Sequence, residues 1–351
     1  MALDVDELEA RARAVLDPAV ADFFAAGSGD EVSVGEARAA WDAWRFRPHV
    51  LTDVSECDTS CELLGTRLES PILVAPTAYH ALASDEAELA SAAGADDAGA
   101  LYVMATRATR PIEAIAAALG RPWWFQVYVL RDRGLTRALV ERAVAAGASA
   151  LVLTGDTPIV GPKPRTGGAI PLGAADHLVN LRPHLGDLDE AAVRHATSQD
   201  PGLDGRVIGW LAELSGLPVI VKGVCRSDDA RRLIDEGASG LVVSNHGGRQ
   251  LDGAIATAEA LPEVVGAAGE VPVLVDGGLR DGRGILKALC LGARGVMLGR
   301  PVLWALAVGG RALVAELLET LRSELAEAMS LAGVARLEGC EPSLLARRPD
   351  C

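Results

Sequence analysis

Short apolar segments recur along the chain, and longer segments with helical spacing of apolar positions separate them. Eight of the apolar segments predict buried β-strands, because they are rich in Val, Ile and Leu and lack the alternation of a half-exposed strand. The predicted strands are residues 72–75, 101–104, 124–127, 150–153, 218–221, 240–243, 271–275 and 295–298. The clearest predicted helices are residues 85–98, 111–119, 135–146, 228–236, 256–267 and 284–291.

The alternation of continuous apolar strands with helices predicts a parallel sheet that is covered by helices. Eight such units favour the α/β class and a closed (β/α)8 TIM barrel. A doubly wound open sheet is the alternative, but no Gly-x-Gly-x-x-Gly pattern follows the first strand. The segment Gly27-Ser28-Gly29 precedes that strand and is followed by two acidic residues, which suit a turn better than a phosphate site.

Segments outside the predicted barrel indicate an N-terminal helical extension and a C-terminal helix. Residues 3–26 predict a helix or helix pair interrupted near Pro18, and residues 45–53 and 57–66 are expected to be extended. The long connection after the fourth strand contains a Pro- and Gly-rich stretch at 161–173 and a predicted helix at 206–214, and a final helix is predicted at 312–331. We therefore expect one domain over 1–351, with a cap at 1–70, a barrel at 71–310, and a helix and tail at 311–351.

Composition narrows the class of partner. The 351 residues carry a formal net charge of −15, which disfavours nucleic acid and anionic membranes as partners. The sequence contains no run of 18 apolar residues, so we expect no membrane span, and the acidic residues near the N-terminus disfavour a signal peptide. The six cysteines form no Cys-x-x-Cys pair, so we expect reduced thiols, a cytoplasmic protein and no metal site.

Every predicted strand is followed by polar residues or glycine, and in a barrel all of these positions meet at one rim. The segment after the sixth strand is the most informative, because an apolar run ends abruptly in a dense polar cluster. In strand order the candidate residues are Pro76, Thr77 and Ala78; Ala105 and Thr106; Gln126 and Tyr128; Thr154 and Asp156; Lys222; Ser244, His246 and Arg249; Asp276, Gly277, Gly278 and Arg280; and Gly299 and Arg300.

Some roles follow from the residue types alone. Strands seven and eight of a barrel commonly form a phosphate site, and the glycines and arginines after these two strands suit one. His246 with Asp156 could form a base and its orienting carboxylate, and Arg249 offers a planar fork for a carboxylate or phosphate. Lys222 at a buried strand end should face an anion. The neutral hydrogen-bonding groups Gln126, Thr154 and Ser244 suit the edge of a flat heterocycle.

The segment from Ser244 to Asp252, Ser-Asn-His-Gly-Gly-Arg-Gln-Leu-Asp, resembles the active-site signature of the FMN-dependent α-hydroxy-acid oxidases and dehydrogenases, a family that includes glycolate oxidase, lactate oxidase and mandelate dehydrogenase. The resemblance extends to six other strand ends in the same order, at residues 75–78, 125–128, 153–158, 221–223, 275–278 and 298–301.

This resemblance implies that FMN binds at the rim. Pro76, Thr77 and Ala78 would line the flavin near N5, with Ala105 and Thr106 at the next strand end. Gln126, Thr154 and Ser244 would contact the pyrimidine edge, Lys222 would lie at N1 and O2, and Tyr128 would contact both ligands. The phosphate and ribityl chain would be held by Asp276, Gly277, Gly278, Arg280, Gly299 and Arg300.

The resemblance also implies the reaction, which is oxidation of an L-2-hydroxy acid to the 2-oxo acid. His246, oriented by Asp156, would remove a proton while hydride passes to flavin N5, or it would remove the Cα proton in a carbanion route; the sequence does not separate the two. Arg249 and Tyr128 would bind the substrate. Relatives lead us to expect a homo-oligomer, by default a tetramer. The acidic chain favours O2 as the acceptor, and a quinone or carrier protein is the alternative.

Three positions depart from the family pattern. Phe23 occupies the position of a tyrosine that contacts the substrate carboxylate. Where a second carboxylate-binding arginine is usual, direct counting places Lys163, with Arg165 nearby. Ala105 replaces a polar residue. Because the flavin and proton positions are intact, we expect a change of substrate rather than a loss of activity. Phe23 favours a larger, aromatic, mandelate-type substrate.

Two other functions are alternatives to oxidation. Isomerases of the type 2 isopentenyl-diphosphate kind bind FMN on a similar barrel but lack a His-Gly-Gly-Arg motif of this kind. A flavin-binding barrel without catalysis is the second alternative, and anaerobic bleaching of the flavin by a 2-hydroxy acid distinguishes it from an enzyme.

Overall fold

The predicted barrel is present and closed. In the computed structural model, which describes residues 3–168, 170–171 and 178–348, eight parallel strands form one ring. The strands are β1 Ile72–Val74, β2 Leu101–Met104, β3 Trp123–Val127, β4 Ala148–Thr154, β5 Val219–Val224, β6 Gly240–Val243, β7 Val273–Asp276 and β8 Gly295–Leu298. Val296 of β8 pairs with Ile72 of β1, which closes the ring and rules out the open sheet.

The strands are continuously apolar because both of their faces are buried. Inward-facing side chains such as Trp124, Ile220 and Met297 fill the barrel interior. The hairpin of Cys61–Leu63 and Thr66–Leu68 adds Leu63 and Leu68 to that same cluster. Outward-facing side chains pack against the surrounding helices in a second, larger core. The interior is therefore a solid core, and a ligand must bind at an end of the barrel.

Helices follow the strands as predicted. Around the barrel they are Glu88–Asp97, Ile112–Ala116, Arg133–Ala145, Arg206–Ser215, Ser227–Asp235, Thr257–Ala268, Gly282–Cys290 and Arg300–Ala332. The last begins directly after β8, twelve residues before the predicted start of 312, and its backbone breaks from helical geometry at Gly309 and Gly310. Its 33 residues are apolar enough to span a membrane, but half of its most apolar window is buried inside the protein. Its composition is therefore explained by packing.

The N-terminal cap contains more structure than the sequence predicted. Helices Val5–Val15 and Pro18–Ala25 form the expected pair, and Pro18 occupies the first turn, where its missing N–H costs nothing. A third helix, Val32–Asp42, and the pairing of strand Trp44–Phe46 with Leu345–Arg347 were not predicted. The cap lies over the carboxyl ends of the barrel strands, where Asp252 accepts hydrogen bonds from the amides of Asp30 and Ser33.

The connection between β4 and β5 contains an additional helix, Glu190–Thr197, before the predicted one. Part of the Pro- and Gly-rich stretch at 161–173 lies outside the described residues. The described residues of this stretch are 161–168 and 170–171, and they include a 3-10 turn at Pro164–Thr166 and contact the loop after β6 through Gly161.

Candidate active site

A cavity of about 940 Å³ opens at the carboxyl ends of the strands, and all eight strand ends contribute to its wall. The N-terminal helix Pro18–Ala25 and the β4–β5 connection complete it. Of the residues predicted at the site, Thr106, Asp156, Arg165 and Ser244 do not line this cavity. The other predicted residues are brought together on its wall.

An acid–base pair lies at one side of the cavity. His246 Nδ1 is 2.9 Å from Asp156 Oδ1, and His246 Nε2 is 3.4 Å from the Tyr128 hydroxyl. Because Nδ1–H donates a hydrogen bond to Asp156, Nε2 has a lone pair that faces the cavity. His246 adopts a left-handed backbone (φ 58°), and Gly247 and Gly248 follow with positive φ, so the turn that aims the imidazole is strained.

Asp156 is kept ionised although it is buried. Burial alone raises the pKa of this carboxyl, but His246 and Lys222 lower it below its ordinary value. Gly223, with φ 108°, leaves room for the side chain, because a Cβ there would lie 2.5 Å from Asp156 Cβ. An ionised Asp156 stabilises the positive charge that His246 acquires when it takes a proton.

Lys222 is the buried cation at the centre of the rim. Its Nζ is 2.8 Å from Asp276 Oδ2 and donates to Ser244 Oγ at 2.7 Å. Burial opposes its charge, but Asp276 and Asp156 raise its pKa above the ordinary value, so the ammonium persists. Ser244 also accepts from the amide of His246 at 3.0 Å and therefore links the lysine to the base.

Gln126 and Thr154 form a neutral polar edge. Gln126 Nε2 donates to Thr154 Oγ1 at 3.0 Å, and Gln126 Oε1 accepts from the amide of Thr106 at 3.0 Å. The Thr106 hydroxyl in turn donates to the Gln126 carbonyl. Thr106 therefore lies behind the cavity wall and orients Gln126. Ser244 also lies behind the wall, and its hydroxyl orients Lys222.

A strongly cationic end of the cavity contains Arg280 and Arg300 and adjoins the loop that carries His246. Arg300 donates to the carbonyls of Phe24 and Gly247, at 3.0 and 2.9 Å, and Arg280 stacks 5.2 Å from the Trp304 ring. Among the described residues neither guanidinium forms an ion pair with a carboxylate. Burial lowers the pKa of both, to about 9 for Arg300. Buried cations that have no carboxylate partner favour an anionic ligand.

The arrangement fits a flavin mononucleotide. The buried Oδ1 of Asp276 has no hydrogen-bond partner among the described residues, which suits a polyol hydroxyl as its donor. Arg280 and Arg300 suit a phosphate, and the Gln126–Thr154 edge together with Lys222 suits a heterocycle that gains negative charge.

A carboxylate subsite lies beside the base. Arg249 Nη1 donates to the carbonyls of Phe23 and Ala26, at 2.9 and 2.6 Å, and its guanidinium lies 5.3 Å over the Phe23 ring. Lys163 lines the same region, and burial, followed by the nearby Arg249, lowers its pKa to about 8. Arg165 forms an ion pair with Glu31 and points away. Of the two candidates for the second cation, the structure places Lys163 at the cavity.

Comparison with known proteins agrees with this geometry. The family described as FMN-dependent dehydrogenase matches residues 12–347. The chain belongs to this family. It is 43% identical to the L-lactate oxidase of Nostoc sp. over 98% of both chains. It is 43% identical to the 4-hydroxymandelate oxidase of Amycolatopsis orientalis over 97% of this chain and 96% of that one. The crystal structure of a mandelate oxidase superposes with a TM-score of 0.90 at 39% identity, over 99% of this chain and 98% of that one.

Membership of the FMN-dependent dehydrogenase family gives the cavity its cofactor and its reaction. FMN accepts the two electrons of the oxidation when it is bound. The relatives favour oxidation of a 2-hydroxy acid over the isomerase alternative. The chain's own groups then have separate tasks. Arg249 would hold the carboxylate, His246 would take the substrate proton at Nε2, Asp156 would stabilise the resulting imidazolium, and Lys222 would oppose negative charge on the cofactor side.

Several wall residues were not predicted from the sequence. They come from the first two strand ends, from the β4–β5 connection and from the start of the last helix, and they are Tyr79, Arg107, Ile170, Leu178, Val193 and Leu303. None of them lies in a motif. Tyr79, Arg107 and Leu303 lie close to a strand end in the sequence, and this is the only signal that could have identified them. Ile170, Leu178 and Val193 have no such signal.

Proposed function

We propose that this FMN-dependent enzyme oxidises an (S)-2-hydroxy acid with an aromatic side chain, of the mandelate type, and passes the electrons to O2. The observation that carries the substrate class is the aromatic wall beside Arg249. Phe23 lies 6.0 Å from the Tyr79 ring and 5.7 Å from the Phe24 ring, measured between centroids. Leu303 and Ile170 pack in the same cluster.

The position of this wall matters because of substrate chemistry. In a 2-hydroxy acid the carboxylate and the side chain are bonded to the same carbon, so a carboxylate on Arg249 places the side chain next to the neighbouring wall. An aromatic ring gains most from aromatic and aliphatic neighbours, whereas the methyl group of lactate fills little of this space. The relatives named for mandelate and 4-hydroxymandelate support the same choice.

O2 as the acceptor is supported by the oxidase names of the most similar relatives. The test is to reduce the bound flavin anaerobically and then to mix the enzyme with air-saturated buffer or with a quinone-like dye. Reoxidation by air on the timescale of turnover supports an oxidase. Reoxidation by the dye alone refutes it.

We further propose a cytoplasmic location, on the acidic composition and cysteine pattern, and a homo-oligomer, on the family resemblance. Analytical ultracentrifugation of the FMN-loaded protein gives the oligomeric state. A monomer at micromolar concentration would refute the second proposal.

The substrate proposal is tested by replacing Phe23 with tyrosine. The added hydroxyl can hydrogen-bond the substrate carboxylate, and it makes the wall more polar. Both substrates share the carboxylate, so the ratio of their kcat/KM values reports the wall alone. We expect kcat/KM for (S)-mandelate relative to (S)-lactate to fall by about tenfold, or about 1.4 kcal/mol, because the more polar wall disfavours the aromatic side chain. Steady-state assays with glycolate, lactate, 2-hydroxyoctanoate and mandelate provide the measurement. Fastest turnover of the unmodified enzyme on glycolate contradicts the proposal.

A further inference from the structure

The signature that contains His246 and Arg249 ends in Gln250, Leu251 and Asp252, and the reaction described above uses none of these three. Gln250 lies four residues after the base, on the same loop, and its side chain crosses to the loop after β4. That loop carries Asp156, the partner of the base.

The Gln250 amide forms three hydrogen bonds with one short segment. Its Nε2 donates to the carbonyls of Asp156 and Ile159, at 3.1 and 2.8 Å, and its Oε1 accepts from the amide of Gly161 at 3.0 Å. A glutamine has two donor hydrogens and one acceptor oxygen, so both donors and the acceptor engage residues 156–161.

The two loops also touch through their backbones at Gly161. A Cβ at this position would lie 2.7 Å from the Gln250 carbonyl oxygen and 2.8 Å from that of Arg249. The two backbones therefore approach each other closely at Gly161. A shift of one loop along the other would also break the three hydrogen bonds of the Gln250 side chain.

This crossing matters because the acid–base pair is divided between the two loops. Asp156 follows β4 and His246 follows β6, with β5 between them in the barrel. Their 2.9 Å contact therefore depends on loop register rather than on one rigid element. Thr157 Oγ1 donates to Asp156 Oδ1 at 3.1 Å and lies 3.5 Å from His246 Nδ1, so it provides one long contact between the loops, and the hydrogen bonds of Gln250 provide the shorter ones.

We propose that Gln250 is a positioning residue for catalysis, which holds Asp156 in contact with the imidazole of His246. This inference rests on the proposed function in one respect, because kcat can be measured only with a substrate that the enzyme turns over. Gln250 acts through Asp156 and does not itself contact the reacting atoms.

Asp252 provides the matched control on the same loop. Its carboxylate also forms two hydrogen bonds to a distant segment, with the amides of Asp30 and Ser33, at 2.8 and 3.0 Å. These bonds hold the N-terminal cap and do not reach Asp156. A substitution of Asp252 therefore shows how a looser loop affects kcat when the contact between Asp156 and His246 is not disturbed.

The experiment is a double-mutant cycle on kcat, measured with (S)-mandelate or with the best substrate found. The variants are Gln250→Leu, Asp156→Ala, both together, and Asp252→Asn alone and with Asp156→Ala. If Gln250 acts through Asp156, Gln250→Leu lowers kcat at least tenfold in the otherwise unmodified enzyme and less than twofold when Asp156 is already alanine. Asp252→Asn changes kcat by the same factor in both backgrounds.

Two further readouts separate positioning from general damage. Thermal melting and FMN content of Gln250→Leu should match those of Asp252→Asn. The isotope effect from substrate deuterated at Cα should rise in Gln250→Leu, because cleavage of the Cα–H bond becomes slower relative to the other steps, whether that hydrogen leaves as hydride or as a proton. An equal loss of kcat in both Asp156 backgrounds, or an unchanged kcat, overturns the proposal. If no hydroxy acid is turned over by the unmodified enzyme, the proposed function fails instead.

Discussion

At the scale of single residues, two cations near the base, Arg249 and Lys163, form no ion pair with a carboxylate among the described residues. Arg249 contacts backbone carbonyls and an aromatic ring. Lys163 donates to the carbonyl of Gly161 at 3.0 Å. Such cations are costly in a partly buried cavity unless a ligand supplies the anion. We therefore expect the substrate carboxylate to complete the site.

Lys163 predicts a pH dependence of substrate binding. Its pKa is lowered to about 8 by burial and by Arg249, so it is charged below about pH 8 and neutral above it. We expect KM for the hydroxy acid to stay constant below that pH and to rise by about tenfold above it, as one charge-assisted hydrogen bond is lost. Lys163→Arg is the control, since arginine stays charged throughout this range. An equal rise of KM in Lys163→Arg contradicts the assignment.

The same scale shows the limit of sequence reasoning about the site. His246, Lys222 and Arg249 were predicted as chemistry-bearing residues because each follows a barrel strand, and the structure places all three on the cavity wall. The ion pair of Arg165 with Glu31 joins distant parts of the chain and leaves no local pattern. The sequence therefore left Lys163 and Arg165 as equal candidates.

At the scale of elements, the barrel strands were predicted to within two or three residues because buried parallel strands are continuously apolar. The helix Val32–Asp42 was missed because its start signal is absent. Its N-cap residue, Glu31, has a left-handed backbone and no capping hydrogen bond. The pairing of Trp44–Phe46 with Leu345–Arg347 was missed because it joins opposite ends of the chain.

The loop after β7 packs tightly against that missed helix, which predicts a sharp effect at Gly278. With φ 79°, a Cβ there would lie 2.2 Å from the Ala37 carbonyl oxygen. We expect Gly278→Ala to lower the free energy of unfolding by about 2–4 kcal/mol, from the left-handed backbone and the displaced helix. It should also weaken FMN binding. Thermal melting and FMN titration provide the measurement.

Gly266→Ala is the matched control. Gly266 lies in the helix Thr257–Ala268, and a Cβ there meets no atom within 4 Å. Alanine in an exposed helix interior should raise stability by about 0.5–1 kcal/mol. Equal effects of the two substitutions would contradict the packing described for the β7 loop.

At the scale of the whole molecule, the cofactor and the fold are coupled. The cavity draws on all eight strand ends and on the cap, so a ligand that fills it contacts every part of the barrel rim. Arg280 and Arg300 are held near one another at its cationic end, and each lowers the stability of the empty protein by its uncompensated charge.

This coupling predicts that FMN stabilises the protein more than riboflavin does. FMN at one hundred times its dissociation constant should add about 2.7 kcal/mol, which raises Tm by roughly 4 °C for a chain of this length. Riboflavin at the same concentration should add less, because it lacks the phosphate for the two arginines. Differential scanning fluorimetry of the flavin-free protein provides the measurement. Equal shifts would place the phosphate elsewhere.

The step on which this function depends is removal of the substrate proton by His246 in an FMN-dependent oxidation. The most direct measurement is anaerobic stopped-flow mixing of the FMN-loaded protein with (S)-mandelate, followed at the flavin absorbance band. The unmodified protein should bleach rapidly, and His246→Ala should bleach 10² to 10⁴ times more slowly, roughly the contribution of a positioned general base. Equal rates in the two proteins, or no bleaching by any 2-hydroxy acid, would contradict the account.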